Sequence, residues 1–157
     1  MENNKSKSYQ KGLELAEQGK HDQALELISE HLETSPDDLE ALNDKGAILF
    51  CMGKTDEAIQ HFEQARQVDE DCPQVYWNLA EAYLSANRPE QAKKQFEKMD
   101  RLSILNCDLL NRTANQFLQN ENCEQANEML EWSLKMTPDQ EILKPMIEII
   151  QSRQNQQ

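Results

Sequence analysis

Residues 19–24 read GKHDQA, and residues 53–58 read GKTDEA, thirty-four positions later. The alanine that ends the phrase recurs at the same step as Ala24, Ala58, Ala92 and Ala126. Other columns keep the period. Ile28, Phe62, Phe96 and Leu130 form one, and Leu15, Leu49, Tyr83 and Phe117 another; Gly12, Gly46, Ala80 and Ala114 are all small. A strict repeat of this length means stacked units, because one unit cannot bury both of its faces.

Each unit reads as two helices. Ala41, Leu42, Leu49 and Phe50 lie at helical spacing, followed by Ala58, Ile59, Phe62, Ala65 and Val68 in the next segment. Breaks fall at Gly19-Lys20, Gly53-Lys54, Asn87-Arg88 and Glu121-Asn122, where Gly and Asn suit the left-handed end of a helix. Cap residues precede the first helix of a unit as Asn4, Asp38 and Asn106, and Cys72 is followed by Pro73. The small column lets paired helices approach, with Gly46 against Ala58. The phenylalanine column then fills the space towards the next unit.

Charge narrows the partners. Sixteen Lys and Arg face twenty-nine Asp and Glu, a net charge of −13 in 157 residues. Such a surface repels phosphates, so neither nucleic acid nor an anionic membrane is expected as a partner. No apolar run approaches the length of a membrane span, and the polar start MENNKSKSYQKG has no apolar signal region. Cys51, Cys72, Cys107 and Cys123 form no Cys-x-x-Cys pair, so reduced thiols in a cytoplasmic protein are expected. No metal, cofactor or catalytic constellation is expected: His21, His31 and His61 fall at different repeat positions and stand alone, and Gly53-Lys54-Thr55 lacks the glycine pattern of a phosphate loop.

With these columns in place, the sequence resembles the tetratricopeptide repeat. The third copy carries the resemblance best, through Tyr76, Leu79, Ala80, Tyr83, Ala92 and Phe96; the second follows with Leu42, Gly46, Leu49, Ala58, Phe62 and Ala65. Departures at Lys11, Lys45 and Thr113, and at His31, Met99 and Ser133, suggest looser packing in the first and fourth copies. The resemblance implies an all-α fold, a right-handed superhelix of antiparallel helix pairs. The four repeats span about 5–38, 39–72, 73–106 and 107–138, and a covering helix over 139–153 precedes a polar tail, 154–157, expected to fray. Thr137-x-x-Gln140 reads as the capping box of that helix, and Pro145 as its kink or split.

The resemblance also implies a concave groove lined by the first helices, where proteins of the family hold peptides. The groove columns place Tyr9, Glu40, Asn43, Asp44, Phe50, Trp77, Asn78, Glu81, Asn111, Arg112 and Asn115 on this surface. Tyr9, Phe50 and Trp77 are expected as aromatic anchors, although Phe50 also fits packing between repeats. The asparagines suit pairing with a peptide backbone. Glu17, Glu40, Asp44, Glu81 and Asp108 outnumber Arg112, so a neutral-to-basic protein segment is the expected ligand. The lysine clamp that one subclass uses for acidic chaperone tails is missing, since Asp44 or Asp108 stands in its columns. A non-enzymatic interaction scaffold is therefore the expected function. The alternative is the regulatory or targeting arm of a larger enzyme such as a glycosyltransferase, and self-association is also open.

Overall fold

A computed structural model describes residues 6–154, which form helices and short connections without a strand. In chain order these are α1 (Lys7–Glu17), α2 (His21–Thr34), α3 (Leu39–Cys51), α4 (Thr55–Val68), α5 (Pro73–Ser85), α6 (Pro89–Arg101), α7 (Cys107–Gln119), α8 (Cys123–Met136), a 3-10 turn (Glu141–Leu143) and α9 (Lys144–Gln154). The chain divides after Ala86 into two compact units. The first holds α1 to α5, with α1–α2 and α3–α4 as antiparallel hairpins; the second holds α6 to α9, with α7–α8 as its hairpin.

Local chemistry sets these boundaries. Asp38 accepts from the Ala41 N–H at 3.1 Å and Asn106 from the Leu109 N–H at 2.9 Å, each satisfying an orphan donor of a first turn. Pro73 opens α5 without a side-chain cap from Cys72. Asn4 lies outside the described residues; the N-cap of α1 is Ser6, which accepts from Tyr9 N–H at 3.2 Å. The four breaks read from the sequence all have positive φ: Gly19 at 74°, Gly53 at 76°, Asn87 at 53° and Glu121 at 60°. Ser103, before α7, adopts 58° as well.

The small column meets the large column as well as the alanine expected opposite it. A Cβ at Gly46 would lie 2.6 Å from Phe62 Cε1, and one at Gly12 would lie 2.9 Å from Ile28 Cγ1. The large column thus lies over the small column of its own hairpin and not only towards the next unit, while in the first copy the alanine column is close as well, with the Ala24 carbonyl oxygen 3.3 Å from a Cβ at Gly12. The departures at Met99, Thr113 and Ser133 are nonetheless enclosed. Met99 and Ser133 are fully buried, and so is Thr113, whose hydroxyl donates to the Leu109 carbonyl at 2.7 Å.

Four bonds between successive equivalent helices recur at one spacing. Tyr9 reaches Asp44 and Asn78 reaches Asn43 in the first unit; Lys93 reaches Glu128 and Arg153 reaches the Leu118 carbonyl in the second. Each pair is 35 residues apart, one more than the period. The last pair puts α9 in the register of a further first helix. Leu143 extends the column Ala41, Val75 and Leu109, and all four are fully buried.

The start of the final segment departs from the capping box. Thr137 ends α8 as its C-cap. Gln140 does not cap backwards onto a new helix; its Nε2 donates to the carbonyls of Ser133 at 2.9 Å and Thr137 at 2.8 Å. The Ser133 carbonyl also accepts from the Thr137 N–H at 2.9 Å, so Gln140 is a further donor there and ties down the end of α8. Pro145 sits in the first turn of α9, just after the 3-10 turn, so the segment is divided there and not kinked within a helix.

Candidate functional site

The first-helix residues expected to line a groove fall into three environments. In the first unit, Glu40 is exposed while Asn43 and Asp44 are half-buried on α3; with Leu39, Cys72 and Gln74 they line a depression of about 210 Å³. Gln74 donates to Asn78 Oδ1 at 3.0 Å, and Asn78 donates to Asn43 Oδ1 at 2.8 Å. The two asparagines expected to meet a peptide thus also tie α3 to α5. Phe50, Trp77 and Glu81 are half-buried.

Tyr9 is a correction. It was expected as an exposed anchor, yet its side chain is fully buried. Its hydroxyl donates to Asp44 Oδ2 at 2.5 Å, and its ring stacks on His31 with centroids 5.0 Å apart. Burial, then the hydrogen bond to Asp44, then the negative charges of Asp44, Asp38 and Glu40 push its ionisation well above the usual tyrosine range. A ring held this way stabilises the end of the first unit and is not available to a ligand.

His31 does not stand alone either. It is buried at 5% exposure, with Nδ1 2.8 Å from Ser6 Oγ and Nε2 3.0 Å from Asp38 Oδ2. Burial raises the Asp38 carboxyl; the His31 bond, the Ala41 N–H, the His31 charge and the Glu40 N–H together hold it below the usual carboxylate value. Ser, His and Asp in line resemble a nucleophilic relay. Here, however, Ser6 Oγ is a helix cap and His31 is buried against the Tyr9 ring, so both are held in structural contacts. The cluster joins the start of α1, the end of α2 and the start of α3. His21 begins α2. His61 is half-buried, and burial followed by the charge of Lys45 lowers its pKa.

In the second unit, Asp108, Asn111, Arg112 and Asn115 of α7 share a cleft of about 200 Å³ with Ile142, Leu143 and Met146. Arg112 pairs with Asp108 at 3.4 Å. Asn111 donates to Gln140 Oε1 at 3.0 Å, a contact with the chain's own C-terminal segment. Sequence reasoning missed Ile142 and Met146, which lie one period after Asp108 and Arg112. Among the described residues no group of three or more His, Cys, Asp or Glu could hold a metal, and no helix is long and apolar enough to cross a membrane. The four cysteines are free thiols.

Two tetratricopeptide-repeat profiles match the chain, over residues 7–71 and 49–101, and together they span more than half of it. The chain belongs to the tetratricopeptide-repeat family. Repeats of this family are non-catalytic scaffolds for protein binding, and this chain has that character. TPR repeat-containing protein YpiA of Bacillus subtilis (strain 168) is 32% identical over 79 residues, half of this chain but 19% of that protein's length. A MamA crystal structure superposes with a TM-score of 0.73 at 17% identity, covering 88% of this chain and 75% of that one. MamA 41-end from Desulfovibrio magneticus RS-1 gives 0.67 at 19% identity over 85% and 76%. The first TPR of Spaghetti (RPAP3), bound to the HSP90 peptide SRMEEVD, gives 0.64 at 19% identity over 73% and 90%. At these identities the structural likeness bears on the fold alone.

Proposed function

We propose that this tetratricopeptide-repeat chain is a cytoplasmic protein-interaction scaffold that holds a neutral-to-basic segment of a partner against the α3–α5 face of its first unit. The observation that carries the reading is the depression lined by Glu40, Asn43, Asp44 and Gln74. It lies in a unit with eighteen acidic and seven basic residues. Opposite charge steers and selects such a partner, and like charge repels it. Spaghetti (RPAP3) holds SRMEEVD, a peptide with three acidic residues; with Asp44 and Asp108 in the columns of a lysine clamp, this chain would disfavour such a tail. Trp77 supplies the aromatic contact, with Phe50 as a secondary one, and Tyr9 drops out because it is buried.

The test is selection of binders from a random peptide display library on the intact chain, followed by titration of the selected peptide. Trp77→Ala is expected to weaken binding by roughly 2 kcal/mol, and the pair Glu40→Lys, Asp44→Lys to weaken it further. Unchanged binding in the first variant together with tighter binding in the second would overturn the reading.

A further inference from the structure

The first unit contains a cavity of about 680 Å³ that shares no lining residue with the depression on its α3–α5 face. Its walls are Leu32 near the end of α2, Asp37 in the connection that follows, and His61, Gln64 and Val68 on α4; Leu42 reaches it from α3. Two periods later, the same columns of the second unit hold Leu105, Met129 and Trp132 in place of Asp37, His61 and Gln64. Leu105 and Met129 are buried, and Trp132 is half-buried with its ring edge-on to Phe96, centroids 6.4 Å apart. The second unit thus covers this part of its core with an indole of its own. The first unit has no such group at the equivalent place. Gln64 is exposed there, and one turn further on Val68 is 41% exposed.

We propose that this cavity is a docking site for a tryptophan side chain of a partner protein, carried on a segment with basic residues next to it. The indole takes the place in the first unit that Trp132 takes in the second, against Leu32, Leu42 and Val68. An aromatic anchor in a pocket is the usual centre of binding energy at an interface, and the volume falls within the roughly 300–1,000 Å³ of ordinary ligand pockets. His61 supplies the polar match. Its Nδ1 lies 3.0 Å from Gln64 Oε1, which can only accept, so Nδ1 carries the proton and Nε2 is left as an acceptor for the indole N–H. Burial, followed by the charge of Lys45, lowers the His61 pKa and favours that neutral form. Charge sets the flanks. Asp37 stands in the wall, and Asp69, Glu70 and Asp71 follow Val68 in the chain, all exposed. A lysine or arginine next to the tryptophan meets these carboxylates, and an acidic residue is repelled. The site uses neither Glu40 nor Asp44, so it is independent of the α3–α5 face.

The probe is a blocked five-residue peptide with one tryptophan between two lysines. Its two comparisons carry alanine in place of the tryptophan, or glutamates in place of the lysines. Binding to the full chain is followed by calorimetry and by backbone amide shifts. The tryptophan–lysine peptide is expected to bind at least tenfold more tightly than either comparison, with shifts around Asp37, Gln64 and Val68. Gln64→Trp, at an exposed position, gives the second copy the residue of the fourth and is expected to abolish that preference without changing the circular-dichroism spectrum. Gln64→Ala leaves the cavity open and is expected to keep the preference. Glu40→Lys with Asp44→Lys is expected to keep it too, which separates this site from the acidic face. Equal binding of the tryptophan peptide and either comparison overturns the proposal, as does retention of the preference in Gln64→Trp or its loss in Glu40→Lys with Asp44→Lys. So does a wild-type dimer in sedimentation that Gln64→Trp disperses, since a second copy would then be the occupant.

Discussion

Gly46→Ala pits helix propensity against packing. Replacing a glycine in a helix interior by alanine ordinarily stabilises by about 1 kcal/mol. At Gly46 the new Cβ would sit 2.6 and 2.7 Å from Cε1 and Cδ1 of Phe62 and 3.1 Å from its Cζ, where carbon atoms prefer about 3.5–4.0 Å. The ring would have to retreat by roughly 1 Å, and it is only 1% exposed, so it has no free space to enter. Overpacking of this kind costs about 1–3 kcal/mol. The net expectation is a loss of up to about 2 kcal/mol. Adding Phe62→Leu should recover part of it, because residues in contact are not additive. The assay is urea unfolding followed by circular dichroism and tryptophan fluorescence. A rise in stability for Gly46→Ala, as bare propensity would give, would refute the claim that the small and large columns of one hairpin interlock.

The Asp38 carboxyl is held below its ordinary value, so its contribution is present above pH about 3.8 and is lost as pH falls through the folded value. Asp38→Asn should flatten that acid limb and cost about 1 kcal/mol at neutral pH through the weakened bond to His31, since asparagine caps a helix as well as aspartate does, read by unfolding at several pH values. Tyr9 is shifted the other way. Its contribution is complete below the ordinary tyrosine pKa and fades as pH rises, so absorbance titration should show one tyrosine that ionises only when the first unit opens. Tyr9→Phe should cost about 1.5 kcal/mol by removing the bond to Asp44, with peptide binding at the α3–α5 face retained if the same peptide is titrated.

Periodicity carried the helices, their breaks and two of the caps, because those depend on residues close in sequence. It carried less of the site. Tyr9 shares a column with Asn43 and Trp77, and a column gives the direction of a side chain but not its exposure. His31 beside the ring and Asp44 thirty-five residues away bury Tyr9, and neither contact is local. Gln140 looked like half of a capping box because Thr-x-x-Gln is a local pattern, whereas its partners are the Ser133 and Thr137 carbonyls at the end of α8.

Backbone amide shift mapping with a peptide selected on the intact chain tests the central claim most directly. The account predicts that a neutral-to-basic peptide perturbs the amides around Glu40, Asn43, Asp44, Trp77 and Asn78, and that adding salt weakens the effect. Perturbations confined to α2 and α4, or selection of an acidic peptide indifferent to salt, would contradict it.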